Sequence, residues 1–488
     1  MRTASTLRFT LALGGMLLFA GCAVNPVTGN RNFTLMSEAD EMRKGRQVAA
    51  EVSKAYAVYD DLPVLQKYVN EIGQKLAKKS HRPKLDYHFT VVDSPQVNAF
   101  ALPGGYIYVT RGILAYLNSE AELAAVLGHE IAHVTARHSV QQYSASTAAN
   151  IGTLLLGVFV PQLGGQAAQS LMGLANNALL SGYGRSHELE ADRLGAEYLA
   201  RSGYDPQAMI RVIGVLKNQE LFDIEVAKQE GREPRRYHGI FATHPDNDTR
   251  LQEVVGEAKQ YIVPGAIMDD RRAEFLRQTE GMAFGDSAVQ GIIRGNTFQH
   301  KELDFTLSFP PGWRIRNQPD KVVALSPEGD GMMQLSLIGN PENSPADLAR
   351  QRFRLEFSSE IVSTTSNGLP IAMVTSTAQD GKPFKAGVIY HDNKAYVLAG
   401  GSTSPDAFDR HLPVITSAIN SFRPLTDAEQ KSIRALEIRT ITATKGTSYA
   451  GLARTSPLGQ NAENYLRLLN GQYPNGEPVS GQILKIVK

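Results

Sequence analysis

Three residues of this chain have types and spacing suited to metal chemistry. His129, Glu130 and His133 stand as H-E-x-x-H inside AELAAVLGHEIAHVTARH (121–138). Leu123, Val126, Leu127, Ile131 and Val134 recur there at helical spacing, with no proline and one glycine. On a helix the two histidines lie one turn apart on one face, so two ring nitrogens can hold one zinc ion. Glu130 sits one step round from the first ligand, where a carboxylate can serve as general base toward water.

The elements around that helix read as a mixed chain. The sequence has 488 residues, 42% hydrophobic and 20% charged, which is globular composition with room for two or three domains. A net charge of +1 gives no bulk attraction to nucleic acid. The single cysteine, Cys22, excludes an intrachain disulfide and a thiolate zinc site. Residues 37–57 and 62–80 read as helices, the first with Ser37 as cap, the second with a stripe of Val64, Leu65, Tyr68, Val69, Ile72 and Leu76. YHFTVVD (87–93) and GYIYVT (105–110) read as strands, with NAFALPGG (98–105) as a turn-forming loop between them. A strand just upstream of a zinc helix can offer its edge to an extended peptide; the plainer reading is a surface hairpin.

A catalytic zinc site usually has three protein ligands and an open position. His138 is five residues from His133, which turns it off the shared face. The next expected helix, YGRSHELEADRLGAEYLAR (183–201), reads as packing Leu189, Leu194, Ala196 and Leu199 inward and supplies His187, Glu188 and Glu190. Chemistry alone leaves these three open. Glu188 and Asp192 share one face, so Asp192 can support His129 or a neighbour while Glu188 binds metal.

H-E-I-A-H followed by R-S-H-E-L-E-A-D (185–192) resembles the HtpX/BepA and CAAX-prenyl-protease family of zinc metallopeptidases, gluzincins whose pattern is R-x-x-E-x-x-A-D. The tether NPVTGNRNF, the loop NAFALPGG and the strand GYIYVTRG are similar to that family's lipoprotein branch, and the likeness covers roughly residues 25–260. Gly184 departs from the serine of many members. The resemblance implies zinc on His129, His133 and Glu188, Glu130 as the catalytic carboxylate with Asp192 beside it, and a zincin-like, mostly helical peptidase domain with a small sheet. It also implies that His244, in Thr243-His244-Pro245, can approach the metal and hold the enzyme off; the plainer reading is a histidine capping the helix that begins near Asp246.

The N-terminus, MRTASTLRFTLALGGMLLFAGC, has a basic start and a short apolar run. Phe19-Ala20-Gly21-Cys22 resembles a bacterial lipobox, with Phe19 where leucine is usual. This reading gives a lipoprotein signal peptide at 1–21, lipid on Cys22 and a tether at 22–36. Ala23 after the cysteine resembles sorting to the outer membrane, the body facing the periplasm.

The expected organisation is α+β throughout. The zinc peptidase domain takes 37–262, a linker helix 263–289, an α+β accessory domain 290–427 and a small module 428–488 that distantly resembles a glycan-binding LysM unit. Within the peptidase domain, 151–180 reads as an apolar hairpin, over the site, against the membrane or buried. The accessory domain reads as an antiparallel sheet with strands at 305–315, 321–327, 332–339, 370–378, 384–392 and 394–402, and helices at 345–360 and 405–421. It carries no catalytic constellation: His300, His391 and His411 are scattered, and Trp313 reads as core. The function expected is a zinc endopeptidase acting on unfolded or misassembled envelope proteins, with peptidoglycan or the outer-membrane assembly machinery as further partners. The alternatives are a chaperone-like or a peptidoglycan-binding lipoprotein.

Overall fold

The structure is a computed structural model. It describes residues 22–145, 183–229, 259–262 and 270–488, apart from isolated positions and the stretches 319–320 and 356–359. The expected signal peptide, the 151–180 hairpin and His244 lie outside the described residues. The chain forms two compact units, one of Met1–Met282 with Glu437–Lys488 and one of Ala283–Leu436.

The first unit is helical with a small sheet. Cys22–Val24 (β1) pairs antiparallel with Arg31–Phe33 (β2). Helix α1, Glu38–Ala55, is capped by the Ser37 hydroxyl, which accepts from the Asp40 amide at 3.1 Å; Glu38, Asp40 and Glu41 favour its positive end. Helix α2, Pro63–Ala77, starts on a proline and buries Leu65, Tyr68, Val69, Ile72 and Leu76. Val64, expected in that stripe, points outward and is 57% exposed.

The sheet corrects the sequence reading. NAFALPGG is not a loop throughout: Ala99–Leu102 forms strand β4. The order is β3 (His88–Val92), β5 (Tyr106–Thr110), β4, with β3 parallel and β4 antiparallel to β5. Pro103, Gly104 and Gly105 make the turn, both glycines with positive φ (81° and 91°). A four-residue strand is too short to show a period beside so strong a turn signal. In consequence β5 is the central strand and has no free edge; β4 and β3 are the outer ones.

Helix α3, Arg111–Tyr116, leads into α4, Glu120–Thr135, every residue of which is buried. The sequence suggests one apolar stripe, but alanines fill the remaining faces, and a helix apolar or small all round belongs in a core. Ser119 caps α4 by accepting from the Glu122 amide. Its first residue, Glu120, accepts from the hydroxyls of Tyr68 (2.8 Å) and Tyr204 (2.6 Å). Residues 138–145 are helical again, and helices α5 (Arg185–Arg201), α6 (Ala208–Gln229) and α7 (Arg272–Gln278) follow before the chain enters the second unit. Of the linker helix expected over 263–289, the described residues are helical at Arg272–Gln278 alone; Gly281 and Gly285, both at positive φ, follow.

Residues 437–488, set apart in the sequence as a module of their own, belong to the first unit. Leu436–Thr442 and Ile483–Val487 pair antiparallel, and Tyr449–Ala453 and Ala462–Leu469 are the helices between. Lys485 is wholly buried and donates to the carbonyls of Ala115 (2.5 Å) and Leu117 (2.7 Å) at the end of α3.

The second unit is rich in sheet. Seven antiparallel strands run in the order Arg314–Gln318, Lys321–Leu325, Gly331–Leu337, Lys394–Ser402, Pro383–His391, Leu369–Thr377, Ile361–Ser366. Helix Pro405–Asn420 covers a core of Phe298, Phe305, Trp313, Tyr396 and Phe422. The helix expected over 345–360 stops at Phe353, where Arg354 turns left-handed (φ 51°). Ile361–Ser366 becomes an edge strand that its polar composition did not announce.

Two buried charges give tests. Glu41, 1% exposed, accepts from Arg82 Nη1 and Arg137 Nε, both at 2.8 Å, and so ties α1 to the end of α4. Glu41→Ala leaves the Arg137 guanidinium without a carboxylate and Arg82 with Glu38 alone, and is expected to lower unfolding free energy by about 3 kcal/mol in denaturant titration. Burial, then the nearby Arg272 charge, push the Lys485 ammonium well below its ordinary value, against the pull of Glu122. The folded state therefore binds fewer protons than the unfolded chain between that lowered value and about 10.5. Wild-type stability measured relative to Lys485→Met should rise with pH across that window, and a flat difference would contradict it.

Candidate metal centre

The site is made where the buried helix α4 crosses the buried face of α5. A β-carbon on Gly195 of α5 would lie 3.0 Å from the His129 amide nitrogen and 3.2 Å from the carbonyl carbon of Gly128; one on Gly128 would lie 3.3 Å from the Gly195 carbonyl oxygen. Each glycine weakens its own helix by about 1 kcal/mol relative to alanine. In return the two backbones approach closely enough for side chains one turn away to converge.

His129 and His133 of α4 and Glu188 of α5 place their donor atoms within 4.8 Å of one another, all buried. The two Nε2 atoms are 3.0 Å apart, and Glu188 oxygens lie 3.5 Å from His129 Nε2 and 3.6 Å from His133 Nε2. Ligands about 2.0–2.1 Å from a tetrahedral zinc stand roughly 3.4 Å from each other, so two neutral imidazoles and a carboxylate at these separations fit that ion. Burial disfavours a charged His129, yet the carboxylates of Asp192 and Glu188 outweigh it and raise its pKa well above the ordinary value. The two carboxylates thus make the place favourable to positive charge.

Asp192 lies one turn after Glu188, and its Oδ1 is 2.9 Å from His129 Nδ1. That contact directs the Nε2 lone pair of His129 toward the centre. Glu130 is wholly buried on α4. Its carboxylate and that of Glu188 help burial to push the Tyr183 phenol up, against the Ser139 hydroxyl. Tyr183 stacks on His133, ring centroids 3.9 Å apart and planes 14° apart, and its hydroxyl is 2.6 Å from Ser139 Oγ.

His138, Glu190 and His187 have places outside the donor set. His138 faces the far side of His133, Nδ1 to Nδ1 at 2.8 Å, and its Nε2 is 3.2 Å from Glu190 Oε2. The bond to His138 holds the Glu190 carboxyl below its ordinary value. His187 stacks on His138 at 4.4 Å; burial, then His138, lower its pKa to about 4. Sequence reasoning missed Tyr183, for which no pattern speaks, and the glycine pair, which a glycine inside each of two strong helices could have flagged. In the second unit, Glu328, Asp330 and His411 also bring donor atoms together, but at the surface. The Arg410 guanidinium already neutralises Asp330 at 2.8 Å.

Two imidazoles one helical turn apart, a carboxylate from a second helix and a glutamate beside the first ligand define a candidate centre of the metallopeptidase class. Residues 63–258 match the model of Peptidase family M48. The family implies zinc, with His129, His133 and Glu188 as the candidate site. The beta-barrel assembly-enhancing protease of Escherichia coli is 31% identical over 242 residues, 48% of this chain and 47% of that protein. The protein of the same name from Yersinia pestis is 32% identical over 246 residues, with the same coverage. The mitochondrial metalloendopeptidase OMA1 of Schizosaccharomyces pombe is 31% identical over 200 residues, 41% of this chain and 58% of that one. The chain thus spans about half the length of the first relatives it matches.

Gly195→Ala is expected to force α4 and α5 apart by a few tenths of an ångström. The expected result is a loss of about 1–3 kcal/mol in stability and a weaker hold on zinc, read by calorimetry and by metal titration.

Proposed function

We propose that this chain is a zinc-dependent endopeptidase of the bacterial envelope, lipid-anchored through Cys22 to the outer membrane and facing the periplasm. The observation that carries the peptidase reading is the buried His129–His133–Glu188 donor set with Glu130 on the same helix. Zinc held there would supply Lewis acidity, polarising a peptide carbonyl and making water more acidic. Glu130 then accepts a proton from the attacking water and returns it to the leaving amine. Asp192 keeps His129 aligned. In this reading the helices exclude bulk water from Glu130.

The substrates proposed are unfolded or misassembled envelope proteins. Two similarities support this: the bacterial relatives carry the name beta-barrel assembly-enhancing protease, and the N-terminus is similar to a lipoprotein signal. An extended backbone would pair with β4, an outer strand of the small sheet that packs against α4, since β5 is flanked on both sides.

Glu130→Gln is expected to lower cleavage of unfolded casein by roughly a hundredfold or more while zinc stays bound at one ion per chain. Full activity with zinc present would end the assignment. Binding of unfolded protein without chelator-sensitive cleavage by the wild type would favour a chaperone-like lipoprotein instead.

A further inference from the structure

We propose that His138, backed by Glu190, is a positioning residue that fixes the tautomer and ring plane of the ligand His133. The inference rests on the metal reading of His129, His133 and Glu188. It adds a role for two residues outside that set.

Hydrogen-bond bookkeeping at the two rings carries it. A neutral imidazole that offers Nε2 to a metal must carry its proton on Nδ1. His133 Nδ1 is 2.8 Å from His138 Nδ1. Of two ring nitrogens in one hydrogen bond, one donates and the other accepts. With His133 donating, His138 Nδ1 accepts and the proton of His138 stands on Nε2. That nitrogen is 3.2 Å from Glu190 Oε2, to which it donates. The reverse arrangement would leave His133 protonated on Nε2 and facing its neighbour His129 without a lone pair for metal. The carboxylate of Glu190 therefore sets the proton positions on two rings in series. At His129 one carboxylate, Asp192, does the same directly.

The backbone is built to make this contact. Helix α4 ends at Thr135, and Arg137 adopts a left-handed conformation (φ 58°) that a non-glycine residue seldom takes. That turn swings His138 back toward His133, which a continuous helix would not allow. Arg137 is held there by Glu41 and by the Met36 carbonyl at 3.1 Å. His138 is 0% exposed, and His187 and Tyr183 stack on His138 and His133 respectively.

Zinc affinity of the full chain, measured by competition with a chromophoric chelator, tests the proposal, and unfolding of the metal-free proteins reports on the fold separately. His138→Leu should weaken zinc binding by roughly 10–100-fold. His138→Asn, whose amide oxygen can accept from His133 Nδ1, should bind closer to wild type than the leucine variant does. A simple packing role predicts the opposite order, because leucine fills the buried space with fewer orphaned polar atoms. Wild-type affinity in His138→Leu, or no rescue by asparagine, overturns the proposal. If His138→Leu does not fold, Glu190→Ala against Glu190→Gln answers by the same criterion, the glutamine carbonyl accepting from His138 Nε2. A wild-type chain that binds zinc no better than His133→Ala would instead sink the metal centre itself.

Discussion

The close crossing of α4 and α5 at Gly128 and Gly195 is the constraint on which the site depends. Three candidate metal ligands from two helices converge only when the backbones come closer than side chains normally permit. Each glycine gives up helix propensity for that approach. The neighbouring buried groups act to keep the crossing fixed. Tyr198 of α5 reaches Thr135 of α4 at 2.9 Å, and Arg82 reaches the Val134 carbonyl at 3.2 Å. At the other end of α4, Glu120 is gripped by two tyrosine hydroxyls.

Burial explains why the centre is both demanding and useful. Groups that could titrate freely at a surface are here forced into fixed pairings: Asp192 with His129, His138 with His133, Glu190 with His138. A cluster of two imidazoles and several carboxylates in a low-dielectric interior is costly without a cation and well matched to one. The same burial keeps the lysine at 485 under strain of charge, yet its two carbonyl partners tie the C-terminal stretch to the segment leading into α4. Residues 437–488 therefore contribute to the unit that carries the site.

The helical elements were legible because their signals are dense. Apolar periodicity and the Ser37 cap mark these elements, and H-E-x-x-H fixes two donors on one face by helical geometry alone. Short elements were not. Ala99–Leu102 hides beside a Pro-Gly-Gly turn, and Ile361–Ser366 is polar because it is an edge strand. Their identity comes from the partner strand, and a partner leaves no mark in a four- or six-residue window.

The sequence by itself determined the chemistry available: two imidazoles at i and i+4, a glutamate between them, and a short menu of third donors. Chemistry left Glu188, Glu190 and His187 open and the resemblance pointed to Glu188; tertiary structure brings the Glu188 carboxylate to His129 and His133, because such distances depend on how α5 crosses α4. It also gave His138 its place. Five residues past His133 is the wrong face of a helix, but the helix stops at Thr135 and a left-handed Arg137, held by Glu41 from a distant part of the chain, turns the imidazole back. Local spacing follows from bond geometry and is written in the chain; convergence across helices follows from packing, which no local pattern encodes.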